Sequence, residues 1–171
     1  NQYDLPFIKI PSAMLTNDNL IKEAAKTNKP LVVSTGMSTL KETDHAVEVL
    51  QTATNGNFIL MHTNSSYPAK NDELNLNLIH VFMERYNCLV GYSGHEEDLM
   101  PSVMAVALGA CVIERHITLD RQMWGTDQAA SVGITGMYAL RGRIDIAADI
   151  MGSGKKELTE SELAVRKKLR G

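Results

Sequence analysis

Short apolar segments alternate with longer helical patterns along the chain. The apolar segments are rich in β-branched residues, as strands covered on both faces tend to be. They cover residues 7–10, 31–34, 58–61, 88–91 and 111–114. Matching positions near their ends fall at Lys9, Ser34, His62, Gly91 and Glu114, at intervals of 25, 28, 29 and 23 residues. This repeat predicts βα units that build a parallel sheet with right-handed crossovers.

Helix signals fill the intervals between these segments. Asn17 or Thr16 is placed to cap a helix that runs to Lys26, and Thr39-Leu40-Lys41-Glu42 has the spacing of a capping box. Helical spacing of apolar residues continues in three later segments, 78–86, 99–107 and 137–151.

Two architectures are compatible with this order of elements, a doubly wound sheet and a (β/α)₈ barrel. No GxGxxG follows the first strand, which disfavours the dinucleotide-binding version. A full barrel takes about 250 residues, so five βα units leave about three missing upstream. Because the chain starts with Asn1 and not with Met, we expect it to be a piece of a longer protein. We assign residues 1–152 to the α/β barrel and residues 153–171 to a linker and a charged helix.

The composition excludes several classes of protein. With 44% hydrophobic and 22% charged residues and a net charge of -3, the chain is neither disordered nor basic enough to indicate a nucleic-acid partner. No apolar run approaches the roughly 20 residues of a membrane helix. Cys88 and Cys111 lack CxxC spacing, which argues against a disulfide framework and a cysteine zinc site. A reducing cytoplasm fits this cysteine usage best.

Lys9 is a charged residue inside the first apolar segment. Flanked by two isoleucines, it should face the other side of the sheet, the barrel interior. A buried ammonium needs an anion. With the hydroxyls of Ser12, Ser34 and Ser93 at matching strand ends, it would form a phosphate cradle. The alternative is that Lys9 pairs with a carboxylate and the serines only end strands.

Two histidines end neighbouring predicted strands. Adjacent strands lie about 4.8 Å apart, so His95 and His116 could reach one metal ion, and Glu114 shares the face of His116. Two histidines with oxygen ligands suit Mn²⁺, Fe²⁺ or Zn²⁺. The alternative is two unrelated hydrogen-bonded histidines. His62 also ends a strand but is interpreted as a core histidine.

Two loop residues follow strands over the same face of the predicted sheet. Asp127 is placed either to bind substrate hydroxyls or to cap a turn. Tyr67 is placed either to contact a sugar or to anchor its loop.

Five segments together resemble the sialic acid synthase family. They are Lys9-Ile10-Pro11-Ser12, Ser34-Thr35-Gly36-Met37, Ser65-Ser66-Tyr67-Pro68, Gly91-Tyr92-Ser93-Gly94-His95-Glu96 and Glu114-Arg115-His116-Ile117-Thr118. The resemblance covers nearly the whole chain in order, and the last two segments are the most specific. It implies a (β/α)₈ barrel of which this chain holds strands four to eight. It also implies a following antifreeze-like domain and a homodimer.

The resemblance further implies an N-acetylneuraminate synthase-like transferase. Members condense phosphoenolpyruvate with N-acetylmannosamine, a related amino sugar or its 6-phosphate, releasing phosphate. By resemblance, His95 and His116 hold Mn²⁺ or Mg²⁺. The substrate-binding residues carried over are Lys9, Ser12, Ser34 and Ser93 for phosphoenolpyruvate, with Ser65, Tyr67 and Asp127 near or facing the amino sugar.

One residue departs from the family pattern. Met14 stands where relatives often carry Glu or Asp, which leaves the identity of the sugar open. The resemblance also implies that strands one to three, which supply a catalytic carboxylate and another lysine, are absent here, so we expect the 171 residues alone to be inactive. Two rival hypotheses remain, a Schiff-base aldolase or lyase that uses Lys9 and a non-catalytic half-barrel that only binds.

Overall fold

Five parallel strands form the centre of the structure. A computed structural model describes residues 3–170 of the chain. The strands lie in the order β1-β2-β3-β4-β5, and every neighbouring pair is parallel. Their bounds are β1 Ile8–Ile10, β2 Leu31–Ser34, β3 Phe58–Thr63, β4 Leu89–Gly94 and β5 Ile113–Arg115. The predicted α/β class and parallel sheet are therefore confirmed.

Helices connect the strands and continue after them. They are α1 Asp18–Ala25, α2 Leu40–Thr54, α3 Leu78–Tyr86, α4 Met100–Ala107, α5 Ile134–Met151 and α6 Glu160–Arg170, with single 3₁₀ turns at Ser12–Met14 and Asn71–Glu73. A short parallel pair that was not predicted, β6 Ile117–Thr118 with β7 Val132–Gly133, lies between β5 and α5. None of the helices within residues 3–170 combines the length and apolar character needed to cross a membrane.

Local sequence signals set the helix starts. The Asn17 side chain accepts a hydrogen bond from the N–H of Leu20 at the start of α1, and Thr39 with Glu42 forms the predicted capping box of α2. The α5 helix ends at Met151 before a residue with positive φ, where glycine is favoured. The division of the chain at residue 152 stays a prediction.

Three strands continue beyond the apolar segments that predicted them. β3 reaches Thr63, β4 reaches Gly94 and β5 reaches Arg115, whereas the predicted ends lay near His62, Gly91 and Glu114. The predicted ends followed the apolar runs. Pairing continues because polar residues alternate onto the inner face of the sheet, where Thr63 lies opposite Ser93.

The two faces of the sheet have different partners. On the outer face, alternate apolar strand residues pack against apolar residues of the helices in one buried core. That core contains Ile10, Val33, Leu60, Val90 and Tyr92 from the strands and Ile21, Leu50, Ile79 and Phe82 from the helices. Residues of the opposite register, including Lys9, Ser34, Thr63, Ser93 and Glu114, belong to the inner face.

An ion pair across the inner face shows how strongly the sheet is curled. Lys9 in β1 lies 3.0 Å from the Oε1 atom of Glu114 in β5, although three strands separate them. In a flat sheet, four strand spacings would place the two backbones about 19 Å apart. Only a concave inner face lets the two side chains meet. The sheet is thus a curled half-barrel, and Lys9 faces its interior as predicted.

His62 is a buried histidine behind the sheet, as the sequence predicted. It is 4% exposed, contacts the rings of Phe82 and Tyr92, and hydrogen-bonds through Nε2 to the carbonyl of Leu74 over 2.7 Å. Burial lowers the pKa of His62, against the smaller opposing effect of hydrogen bonds to backbone.

We expect this histidine to make stability fall in mild acid. Below the ordinary histidine pKa of 6.5, the unfolded chain binds a proton that folded His62 does not, so unfolding is favoured as the pH decreases. His62→Gln keeps a donor for the Leu74 carbonyl but does not titrate. The loss of unfolding free energy between pH 7 and pH 5, measured by urea denaturation, should therefore be smaller in this variant. His80→Gln, on the exposed surface of α3, is the control. An equal loss in wild type and His62→Gln would contradict the expectation.

Candidate functional site

Two histidines meet at the carboxyl ends of β4 and β5. The strand register places Gly94 opposite Arg115, so the residues that follow, His95 and His116, lie at adjacent strand ends. Their ring centroids are 5.1 Å apart and the ring planes are nearly perpendicular. The two histidines thus lie at neighbouring strand ends, as the sequence predicted, and a shared metal ion stays a prediction.

Hydrogen bonding fixes which nitrogen of the His95 ring is free. His95 Nδ1 lies 2.6 Å from the Asn64 carbonyl oxygen, whereas His116 Nδ1 lies 3.5 Å from Asp127 Oδ2, an electrostatic contact. Because a carbonyl oxygen accepts, His95 Nδ1 carries the proton and its Nε2 keeps its lone pair. Burial, together with neighbouring His116, lowers the pKa of His95, against the opposing effect of the bond to Asn64. Neutral His95 is thus favoured near pH 7.

These two rings have the chemistry of metal ligands. Two imidazoles at neighbouring strand ends, one of them with a free Nε2 atom, fit a divalent transition metal whose other ligands are oxygens. Within residues 3–170, no group of three or more His, Cys, Asp or Glu side chains is arranged to hold a metal ion. A metal here would complete its coordination with water or substrate oxygens.

Tyr67 lies against both histidine rings. Its ring centroid is 4.2 Å from that of His95 and 5.5 Å from that of His116. Burial raises the pKa of Tyr67, and the charges of Asp127 and Glu114 raise it further. The phenol therefore stays protonated and can donate a hydrogen bond at the mouth of the site.

Glu114 links two of the predicted site residues on the inner face. Its Oε1 atom accepts a hydrogen bond from Ser93 Oγ at 2.7 Å and from Lys9 Nζ at 3.0 Å. The carboxylate partner that sequence reasoning left open for Lys9 is thus present. An ammonium has three donors, so two of those on Lys9 remain for a further anion.

Unpaired hydroxyls lie at the ends of β2 and β3, in the register of the inner face to which Lys9 belongs. The Oγ atoms of Ser34 and Ser65 and the Oγ1 atom of Thr63 are buried and have no hydrogen-bond partner among the described residues. Buried unpaired hydroxyls cost stability unless a ligand completes their hydrogen bonds. Three such donors, on the inner face that also carries the Lys9 ammonium, have the chemistry to bind an oxyanion such as phosphate.

Gly36 has no side chain, and the hydroxyl groups of Ser65 and Ser12 occupy the space that a side chain would take. A Cβ atom on Gly36 would lie 2.1 Å from Ser65 Oγ and 2.8 Å from Ser12 Oγ. The backbone N–H of Gly36 also donates to Ser12 Oγ over 3.1 Å. Any larger residue at this position would displace the serine side chains.

The predicted site residues all lie at or near one concave surface. They are Lys9, Ser12, Ser34, Ser65, Tyr67, Ser93, His95, His116 and Asp127. Asp127 lies beside His116, a position that the sequence did not foresee. Met14 is partly exposed in the 3₁₀ turn that also carries Ser12.

Sequence reasoning missed three contributors to the site. Thr63 was overlooked because its strand was predicted to end near His62. Since side chains alternate along a strand, Thr63 lies on the same face as Met61, and this alternation could have revealed it. Asn64 acts through its backbone carbonyl, for which a side chain gives no signal. Gly36 contributes space, which only the folded structure makes visible.

Comparison with known proteins identifies the family of this chain. A model of the NeuB family matches residues 1–156. The chain belongs to the NeuB family. The resemblance to sialic acid synthases noted in the sequence is thereby confirmed.

Relatives of the NeuB chain include bacterial and animal synthases. It is 40% identical over 164 residues to the N,N'-diacetyllegionaminic acid synthase of Campylobacter jejuni, covering 95% of this chain and 49% of that protein. It is 33% identical over 170 residues to the human N-acetylneuraminate-9-phosphate synthase, covering 99% and 47%. The chain thus spans about half the length of these curated relatives.

A solved structure supports the same relationship. The N-acetylneuraminic acid (sialic acid) synthetase of Leptospira borgpetersenii, crystallised with citrate, superposes with a TM-score of 0.86 at 31% identity. The match covers 97% of this chain and 59% of the crystallised chain.

Crowding the hydroxyl cluster should weaken oxyanion binding. Gly36→Ala places a methyl group against Ser65 and Ser12, and overpacking of this kind costs about 1–3 kcal/mol. Millimolar inorganic phosphate should raise the Tm of the wild-type protein by binding the folded state, and should raise that of Gly36→Ala less. Gly142→Ala, where an added methyl meets open space, is the matched control. Equal phosphate-induced shifts in wild type and Gly36→Ala would contradict the assignment.

Proposed function

We propose that the protein containing this chain condenses phosphoenolpyruvate with N-acetylmannosamine, a related amino sugar or its 6-phosphate. The products would be a sialic or other nonulosonic acid and inorganic phosphate. One observation supports the proposal most. On the inner face of a chain of the NeuB family, buried unpaired hydroxyls and the ammonium of Lys9 accompany two adjacent histidines at the strand ends. Separate sites for a phosphate and a carbonyl oxygen are what this condensation needs.

The reaction forms one carbon–carbon bond between the substrates. It breaks the bond between C2 of phosphoenolpyruvate and the oxygen of its phosphate group. C3 of phosphoenolpyruvate attacks the aldehyde carbon of the sugar, and the aldehyde oxygen takes up a proton. Water adds to the cationic C2, and the C2–O bond to phosphate then breaks. Sugar, phosphoenolpyruvate and water thus give the nonulosonic acid and phosphate, with atoms and charge in balance.

The residues of this chain act mainly by binding and orienting. In the proposal, Lys9 and the unpaired hydroxyls of Ser34 and Ser65 hold phosphoenolpyruvate and stabilise the charge of the departing phosphate. Ser12 and Ser93 complete this set. Lys9 stays an ion-paired ammonium and forms no covalent adduct, whereas a Schiff-base enzyme needs a free amine.

The amino sugar would enter on the side of the histidines. In the proposal, Tyr67 would donate its phenolic hydrogen to the sugar, and the Asp127 carboxylate, which lies 3.5 Å from His116 Nδ1, would accept hydrogen bonds from sugar hydroxyls. His95 and His116 would hold Mn²⁺ or Mg²⁺. When bound, such an ion polarises the sugar aldehyde as a Lewis acid.

The first experiment measures phosphate release by the intact protein from phosphoenolpyruvate, with and without N-acetylmannosamine. Release should require the sugar, stop with EDTA and return with Mn²⁺. His95→Ala and His116→Ala should each lower kcat/KM about a hundredfold or more, because a Lewis acid contributes several kcal/mol to such a step. His80→Ala, exposed on α3, is the matched control.

The outcomes separate the parts of the proposal. Release only with a phosphorylated or diacetamido sugar would keep the mechanism and change the substrate. Release that EDTA leaves unchanged, with a borohydride-trapped pyruvate adduct on Lys9, would replace the proposal by a Schiff-base enzyme. No release with any amino sugar from a folded protein would overturn it.

The proposal extends to the assembly of the intact protein. We propose a cytoplasmic homodimer, to be tested by cell fractionation and analytical ultracentrifugation. We also propose that the 171 residues alone do not turn over, since the relatives are about twice as long. Repeated turnovers by the purified chain would contradict this.

A further inference from the structure

A buried ion pair lies directly behind the two histidines. The side chains of Glu96 and Arg115 are each 1% exposed, and Arg115 Nη1 donates to Glu96 Oε1 over 3.0 Å. A second guanidinium nitrogen, Nη2, donates to the backbone carbonyl of Glu96. Arg115 also donates to the Asp98 carbonyl and to Ser102 Oγ, in the loop after β4 and in α4. One guanidinium therefore ties together three segments of the chain.

The Glu96 carboxylate is held on both oxygens. Tyr92 donates its hydroxyl to Oε2 over 2.7 Å, and burial, together with the Glu96 charge, raises the pKa of Tyr92 so that it remains a donor. Gly94 leaves room for the carboxylate, because a Cβ atom there would lie 2.7 Å from both oxygens. The carboxylate thus has one defined position.

Each member of the ion pair is the sequence neighbour of one histidine. Glu96 follows His95, and Arg115 precedes His116. Backbone bonds hold both histidines as well: Ala69 N–H donates to the His95 carbonyl over 3.1 Å, and that of Val132 to the His116 carbonyl over 2.8 Å. A fixed bond between Glu96 and Arg115 therefore fixes the distance between the backbones that carry the two imidazoles.

We infer that the Glu96–Arg115 ion pair positions His95 and His116 to bind one metal ion. This inference rests on the metal site of the proposed function. Stability alone is a weak reason for such a pair, because well-packed apolar side chains often replace buried charges without loss. A pair that bridges the ends of β4 and β5 instead holds the two histidines at a fixed distance from each other. The relative position of its ligands determines how tightly a metal ion binds.

The test is the Mn²⁺ affinity of the intact protein. Glu96→Gln keeps the size of the side chain and removes its charge. The dissociation constant for Mn²⁺, measured from the electron paramagnetic resonance signal of free Mn²⁺, should rise about tenfold or more. Circular dichroism at the same temperature establishes that the variant is folded, so a mere loss of stability does not enter the measurement.

A milder variant covers the case in which Glu96→Gln does not fold. Tyr92→Phe removes one hydrogen bond from the carboxylate and leaves the ion pair and the aromatic packing in place. It should raise the dissociation constant for Mn²⁺ by a smaller factor. An unchanged Mn²⁺ affinity in folded Glu96→Gln would overturn the inference. If Glu96→Gln does not fold, an unchanged Mn²⁺ affinity in Tyr92→Phe would overturn it.

The control is a cluster of the same chemical groups outside the site, more exposed than the Glu96–Arg115 pair. Arg85 donates to both carboxylate oxygens of Asp44, at 2.7 and 2.8 Å, and Tyr86 donates to the same carboxylate. Asp44→Asn should lower the urea midpoint and leave Mn²⁺ affinity unchanged. An equal loss of affinity in Asp44→Asn would show a general effect of destabilisation and overturn the inference.

One further variant separates the two proposals. His95→Ala should abolish tight Mn²⁺ binding if the proposed metal site is correct. If His95→Ala binds Mn²⁺ like the wild type, the metal site itself is wrong. If His95→Ala loses Mn²⁺ while Glu96→Gln retains it, only the positioning role is wrong.

Discussion

The strict alternation of side chains along parallel strands is the constraint on which this structure depends. In five adjacent strands, every second residue packs on the helices, and the others face a concave surface. Lys9 and Glu114 meet across that surface because the sheet curls. The same alternation places apolar residues on one face and hydroxyls and charged groups on the other. The hydrophobic core and the candidate site therefore lie on opposite faces of one sheet.

Parallel pairing then brings all the carboxyl ends to the same edge. Residues from four different strand ends, Ser34, Thr63, His95 and His116, reach one region without any long-range signal in the sequence. The loops that follow refine it: Asn64 sets the proton on His95, and Asp127 lies beside the ring of His116. The scaffold supplies proximity and the loops supply orientation.

Local and periodic features of this fold were predictable. The capping box at Thr39, the helix-forming intervals and the interior orientation of Lys9 follow from spacing alone. What sequence reasoning missed depends on contacts between distant residues. The pairing of β6 with β7 involves strands of two residues, too short for a periodic signal, and the bond between Arg115 and Glu96 joins residues of opposite charge that only the register of β4 and β5 brings together. The metal and the reaction stay proposals, since neither strand geometry nor polarity identifies a ligand.

Buried polar groups in this half-barrel follow two different designs. Behind the histidines, Glu96 has partners for both carboxylate oxygens, so its desolvation is compensated within the fold, and of its partner Arg115 only Nε is buried without a hydrogen bond among the described residues. On the inner face that also carries Lys9, the hydroxyls of Ser34, Thr63 and Ser65 have no partner among residues 3–170, which costs stability in the free protein. A folded chain keeps such unpaired donors at little benefit to itself, whereas an anionic ligand gains hydrogen bonds that need no reorganisation. The hydrogen-bonded Glu96 carboxylate therefore serves to hold geometry, and the cluster of unpaired hydroxyls marks where a ligand completes the structure.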